Sequence, residues 1–142
     1  MQTGTVTTAR TRRADALVGD GLLRIALKLD AAVTGANGVA YLALAAPLSD
    51  LFGLDASFLR ATGAFLILFA AFVFAVSRQQ AIGRTASLAV IAANALWVID
   101  SFVMLATGWQ DPTTAGAVWI AMQAVTVAAF AALQLAGRRR AA

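Results

Sequence analysis

The chain has 142 residues, of which 61% are hydrophobic and 13% charged, with eleven Lys and Arg against seven acidic residues and a formal net charge of +4. That balance points to a membrane rather than to nucleic acid, because the basic residues fall between apolar runs instead of gathering on one amphipathic surface. All seven acids are Asp, and the absence of Cys and His excludes thiol redox chemistry, disulfides, zinc sites of the usual kind and His-ligated haem.

In chain order, residues 1–21, "MQTGTVTTARTRRADALVGDG", are Thr-rich and basic without a sustained apolar pattern, so they read as a disordered or surface-lying tail. Arg10, Arg12 and Arg13 suit retention on one side of the membrane, or contact with anionic lipid. Residues 22–137 read as one transmembrane domain of four helices, about 27–47, 58–77, 85–107 and 113–136, each long enough for a hydrocarbon core of ~30 Å. Residues 138–142 form a short basic C-terminal tail. The breaks are Pro47, Gly53, Asp50 and Asp55 with a Ser57 cap, then "SRQQAIGR", then Gly108, Asp111 and Pro112. Backbone groups in lipid must be satisfied within each segment, so the expected fold is all-α: a four-helix transmembrane bundle, each helix antiparallel to its sequence neighbour. The first and last pairs of helices look like two similar hairpins, the pattern of a parallel repeat. A competing reading takes the basic start, the apolar stretch and "ALAAP" at 43–47 as a secretory signal. The stretch is too long for that, and Asp30, Thr34 and Asn37 have no place in one.

Every basic residue except Arg60 falls at one end of these segments, whereas the opposite loops hold Asp50, Asp55 and Asp111. The positive-inside rule therefore puts both termini in the cytoplasm, with Trp109 an interfacial anchor on the outer side.

Polar residues inside the spans come next. Asp30, Thr34, Asn37 and Tyr41 share one face of the first helix, Asn94 and Asp100 lie on the third, and Gln123 lies at mid-depth on the fourth. The second helix is almost bare of polar residues below Thr62, so its Phe65, Phe69, Phe72 and Phe74 are expected to meet lipid or a second subunit. Alanines repeat every fourth residue from Ala32 to Ala40 and from Ala124 to Ala136, and Gly35 and Gly38 would admit a close neighbour. Asn37, Asn94 and Gln123 then serve as interhelical hydrogen-bonding residues or as a ligand site. Asp30 is expected to pair with Lys28, Arg84 or Arg24 near the cytoplasmic boundary. An unpaired charge as deep as Asp100 costs ~2.5–3.5 kcal/mol. It is expected either to form a clamp with Arg60, helped by a hydrogen bond from Tyr41, or to line a cavity open to the outside.

The pattern holds no phosphate-binding Gly loop, no Ser–His pair and no two Asp at one depth, so no catalytic set is assigned and no cofactor or metal is expected. The segments "LRIALKLDAAVTGANGVAYLALAAPLSDLFGLDASFLRATGAFLILFA" and "NALWVIDSF", with Asp30, Gly35, Asn94 and Trp97, resemble small four-helix integral membrane proteins of high-GC bacteria, loosely DoxX-like or SPW-repeat-like. That resemblance spans about residues 22–138 and implies a four-helix fold in the bacterial plasma membrane, without implying a reaction. The sequence is thus read as a non-catalytic binding, assembly or accessory subunit, partnered by the bilayer and by a second copy or another membrane protein. The alternatives are a small homo-oligomeric carrier or channel and, behind it, a membrane enzyme acting on a lipid-like substrate.

Overall fold

The computed structural model describes residues 3–142, and among these it is all helix and connections. Helix α1 runs Thr3–Ala43, α2 Ala45–Phe52, α3 Ala56–Arg78, α4 Arg84–Thr107 and α5 Thr114–Ala141.

The tail expected to be disordered or surface-lying is helical from Thr3 onward and forms the first half of α1, which is 41 residues long. Its threonines do not break the helix, because their hydroxyls bond back to the preceding turn, as Thr11 does to the Thr7 carbonyl at 2.9 Å. Gly19 is a packing position: a Cβ there would lie 2.5 Å from the Ala141 backbone nitrogen on α5. The chain then breaks earlier than the expected end at Pro47. Leu44 leaves helical geometry, and α2 starts at 96° to α1. Pro47 sits in the first turn of α2, where its missing N–H would have had no partner.

The remaining ends carry regular caps, one of them shifted from the residue the sequence suggests. Gly53 closes α2 in the left-handed region at φ 68°, and its N–H bonds to the Ser49 carbonyl. The Asp55 side chain accepts from the Phe58 N–H at 3.0 Å, so Asp55, not Ser57, caps α3. Thr113 caps α5 through the Gly116 N–H, and Gly108 ends α4 at φ 67°.

Three helices, α3, α4 and α5, are each long and apolar enough to cross a membrane. The bent pair α1 and α2 passes the same test only when taken together. Large apolar side chains are exposed around these helices, with Leu68 72% exposed and Phe72, Ile99 and Val125 also turned outward. In water such a belt would be an aggregation surface; in lipid it is the ordinary outer face.

Helix α1 is the centre of the packing, antiparallel to α3 on one side and to α5 on the other, while α4 packs along α5. At the α1–α3 crossing, Gly38 and Gly63 face each other so closely that a Cβ on Gly63 would lie 2.8 Å from the Gly38 carbonyl oxygen. The close neighbour expected beside Gly38 is therefore α3. Of the two alanine stripes, Ala124 is buried, whereas Ala32, Ala36, Ala128 and Ala132 face outward. One expected neighbour pair does not pack: α3 and α4 are joined by a short turn yet barely touch.

Two apolar clusters hold the ends together. Leu23, Leu27, Val73, Val76 and Val90 fill the end carrying both termini, and Phe52, Leu54, Leu59, Leu66 and Ile120 fill the other. At the first end the Arg24 guanidinium donates to the carbonyls of Ser77, Gln79 and Gln80, closing the last turn of α3. At the other, Thr113 ties α5 to α2 through the carbonyls of Leu51 and Phe52, and Phe52 stacks on Trp119 at 5.6 Å. The molecule is thus locked at both ends and open along the side between α3 and α4.

Candidate functional site

The polar residues singled out in the sequence divide into a closed cluster and an open cleft. The closed cluster is built around Asp30, which has no exposed surface. One carboxylate oxygen accepts from the Thr34 hydroxyl at 3.0 Å, and the other from the Asn94 amide at 2.6 Å and the Gln134 amide at 2.7 Å. Asn94 also donates to the Gln134 carbonyl oxygen at 3.2 Å, so three helices meet in one bonded network. No buried polar side-chain atom among the described residues lacks a partner.

This arrangement corrects the expected ion pair. Lys28 is two residues from Asp30 and so points to another face of the helix, where it is exposed. Arg84 begins α4 about 15 Å of helical rise before Asn94 and is also exposed. Arg24 is held by Asp20 at 3.4 Å and by the α3 carbonyls. Neutral donors replace a cation because they are the groups that reach this depth. Gln134 was not among the residues expected here. Its signal was available: it lies eleven residues after Gln123, three turns along the same face of α5.

A second small network links α1 to α5. The Tyr41 hydroxyl accepts from the Trp119 indole at 2.8 Å and from the Gln123 amide. Tyr41 therefore turns toward α5, and the expected hydrogen bond from Tyr41 to Asp100 does not form. Gln123 bonds to Tyr41 rather than to Asn37.

The open cleft lies between α3 and α4, with α1 and α5 as its floor. Two adjoining cavities of about 430 and 440 Å³ occupy it and share Trp97, Asp100 and Gln123 as wall residues. Asp100 is exposed and, among the described residues, forms no hydrogen bond or ion pair, so the clamp with Arg60 is not made. The reason lies in the register of α3. Phe58, Thr62, Phe65 and Phe69 recur at helical spacing and face the cleft, whereas Arg60 is two residues off that face and exposed. Asn37 is half-buried on the cleft floor and makes no side-chain hydrogen bond among the described residues. Phe65 and Phe69 thus belong to the cleft, while Phe72 and Phe74 take the outward position expected of the whole set.

Two aromatic pairs span the gap where α3 and α4 stand apart. Phe65 stacks on Trp97 with ring centres 6.5 Å apart, and Phe58 meets Trp109 edge to face at 5.2 Å. Trp109, expected as an interfacial anchor, is therefore also a wall of the cleft. Asp100 follows Trp97 by one turn and lies between the two pairs in chain order. Six residues of α4, about 9 Å of rise, separate Asp100 from Asn94, the residue that touches Asp30. The two carboxylates occupy different levels and do not share a proton as a dyad would.

Fold and site together define an all-α protein with three helices long and apolar enough to cross a membrane and a polar-based, aromatic-walled cleft on one side. No family model, curated protein or solved structure matches the chain.

Proposed function

We propose that the protein is a non-catalytic binding subunit of the bacterial plasma membrane, which takes up a small, mainly apolar molecule in the cleft between α3 and α4. The observation that carries this reading is the separation of those two helices. They are consecutive in the chain, yet they flank cavities of about 430 and 440 Å³ while both ends of the molecule are tied shut. Volumes of this size fall in the range of small-molecule sites, which are typically apolar with a few polar groups that fix orientation. Here Asn37, Asp100 and Gln123 would do so.

In this reading the bent pair α1 and α2 makes one crossing, and α3, α4 and α5 make three more. Arg10, Arg12, Arg13, Arg78, Arg84 and Arg138 to Arg140 keep both termini and the α3–α4 turn in the cytoplasm. Asp50, Asp55 and Asp111 lie outside. The cleft then faces the bilayer sideways and reaches toward the outer surface, so a ligand enters from the lipid.

The test is photolabelling of the protein in nanodiscs with a small diazirine-bearing aromatic probe, followed by peptide mapping. Label concentrated on 58–69 and 93–104, and abolished by the cleft-filling substitution Ala93→Trp, is the expected result. Label spread evenly over the outer faces of all helices, unaffected by Ala93→Trp, would reject it.

A further inference from the structure

We infer that the molecule held in the α3–α4 cleft is a lipophilic cation, an apolar or aromatic body carrying a permanent or protonated positive centre, with Asp100 as its counter-charge. This rests on the reading of the cleft as a binding site and adds the chemistry of its ligand.

Three observations lead to it. Asp100 is the only Asp, Lys or Arg on the walls of either cavity, and it belongs to both. It has no partner among the described residues, although it stands among the apolar Leu96, Ile99, Phe102 and Val103, all exposed on the same stretch of helix. A carboxylate left there without a counter-charge is costly, and the cost is relieved by whatever brings a positive charge into the cleft. Asp30 shows the contrast: its neutral donors come from three helices of the same chain and leave it nothing to offer a ligand.

The walls supply the rest of the recognition. Trp97, Trp109, Phe58 and Phe65 present aromatic surface around the position of Asp100. Such faces attract cations held within about 6 Å and accept apolar bodies equally well. An anionic ligand would meet the Asp100 carboxylate with no Lys or Arg on the walls to offset it. A neutral ligand would fill the volume and leave the charge unanswered.

The experiment compares binding of tetraphenylphosphonium with that of the neutral triphenylphosphine oxide, by equilibrium dialysis on the full chain in nanodiscs, for the parent protein and Asp100→Asn. The variant keeps size and polarity and breaks no internal hydrogen bond; a size-exclusion profile unchanged from the parent verifies that it folds. The expected result is saturable binding of the cation that weakens about tenfold or more in Asp100→Asn, with binding of the oxide unchanged. If both compounds bind and neither responds to Asp100→Asn, the cleft is a binding site but its ligand is not selected by charge, and this inference fails alone. If neither binds saturably, the cleft reading fails and takes the inference with it. A third outcome also overturns it: Asp100 is answered by Arg60 of a second copy. Native mass spectrometry would then show a dimer lost in Asp100→Arg and in Arg60→Asp and restored when the two are combined.

Discussion

The Asn94 amide on α4 donates to the Asp30 carboxylate on α1 at 2.6 Å, and this bond joins the two hairpins of the chain at a level where neither residue has appreciable exposure. Helices α1 and α3 form one packed pair and α4 and α5 the other, with α1 and α5 meeting between them. In lipid the hydrophobic effect does not hold such pairs together, so packing and interhelical hydrogen bonds set the geometry. The Asp30 cluster fixes the depth at which α4 lies against the rest, and with it the width of the cleft.

Asp30→Ala therefore removes the acceptor for both interhelical amides. At ~0.6–2 kcal/mol for each such bond, the loss is on the order of 2 kcal/mol. Asp30→Asn is expected to be milder, because its amide oxygen can receive Asn94 and Gln134 while its nitrogen turns to the Thr34 hydroxyl. Unfolding in a titration with sodium dodecyl sulfate checks the order: parent, then Asn, then Ala. Equal midpoints for all three would show that the cluster contributes nothing to assembly.

The crossing of α1 and α3 gives a second comparison, with one glycine taken from each helix. Gly63→Val would push a side chain into the Gly38 carbonyl, 2.8 Å from the Cβ position, and backbone cannot move aside as a flexible side chain would. A Cβ on Gly35 would meet the Ala70 methyl at 3.5 Å, an ordinary contact. Gly63→Val should cost about 1–3 kcal/mol or prevent assembly, while Gly35→Ala should be close to neutral. Thermal unfolding followed by circular dichroism in detergent reads both. A large effect of Gly35→Ala would mean that the helices approach elsewhere.

The three apolar helices α3, α4 and α5 were legible because period and length leave little freedom in a membrane, and the break at Gly53 follows from an ordinary end signal. Two local features were not. Residues 1–21 carry no sustained apolar pattern, yet Gly19 serves contact with α5, and a glycine at a helix crossing looks the same in sequence as one in a turn. The 96° bend at Leu44 has no Pro or Gly of its own, since Pro47 acts three residues later as a helix start. In the site, the stripe from Asp30 to Tyr41 was correctly seen as one face of α1, but that face is divided between the Asp30 cluster, the cleft and the link to α5. Which neighbour a polar residue meets depends on helix order, and periodicity within one helix carries no record of it. The Asp100–Arg60 clamp failed for that reason: both residues lie toward the same end of the molecule, but their rotations about α4 and α3 do not match.

Arg24 was expected near Asp30 and instead donates to three carbonyls at the end of α3. Arg24→Ala would leave those carbonyls to water and loosen the turn into α4. Its guanidinium is partly exposed, so the global cost should be about 1 kcal/mol or less. The local effect is expected to be larger. Hydrogen–deuterium exchange of residues 77–83 should rise several-fold, with Arg24→Lys intermediate because one ammonium cannot span the fork. Unchanged exchange there would mean that the turn is held by the Gln79 side chain on the Gly83 N–H alone.

The proposed topology follows from charge, and the bend between α1 and α2 makes it open to direct refutation. If α1 and α2 together cross once, Asp50 on α2 lies outside, and Gln80 and Ala142 lie in the cytoplasm. If α2 instead returns toward the side it came from, Asp50 stays on the side of the N-terminal residues, opposite Gln80 and Ala142. The chain has no cysteine, so single substitutions Ala9→Cys, Asp50→Cys, Gln80→Cys and Ala142→Cys each give one reporter on an exposed residue. A membrane-impermeant maleimide applied to intact bacterial spheroplasts should label Asp50→Cys at once, and the other three only after permeabilisation. Ala9→Cys reporting the same side as Asp50→Cys would make α1 and α2 a re-entrant element and leave three crossings. The termini would then lie on opposite sides, and Ala9→Cys would report differently from Ala142→Cys.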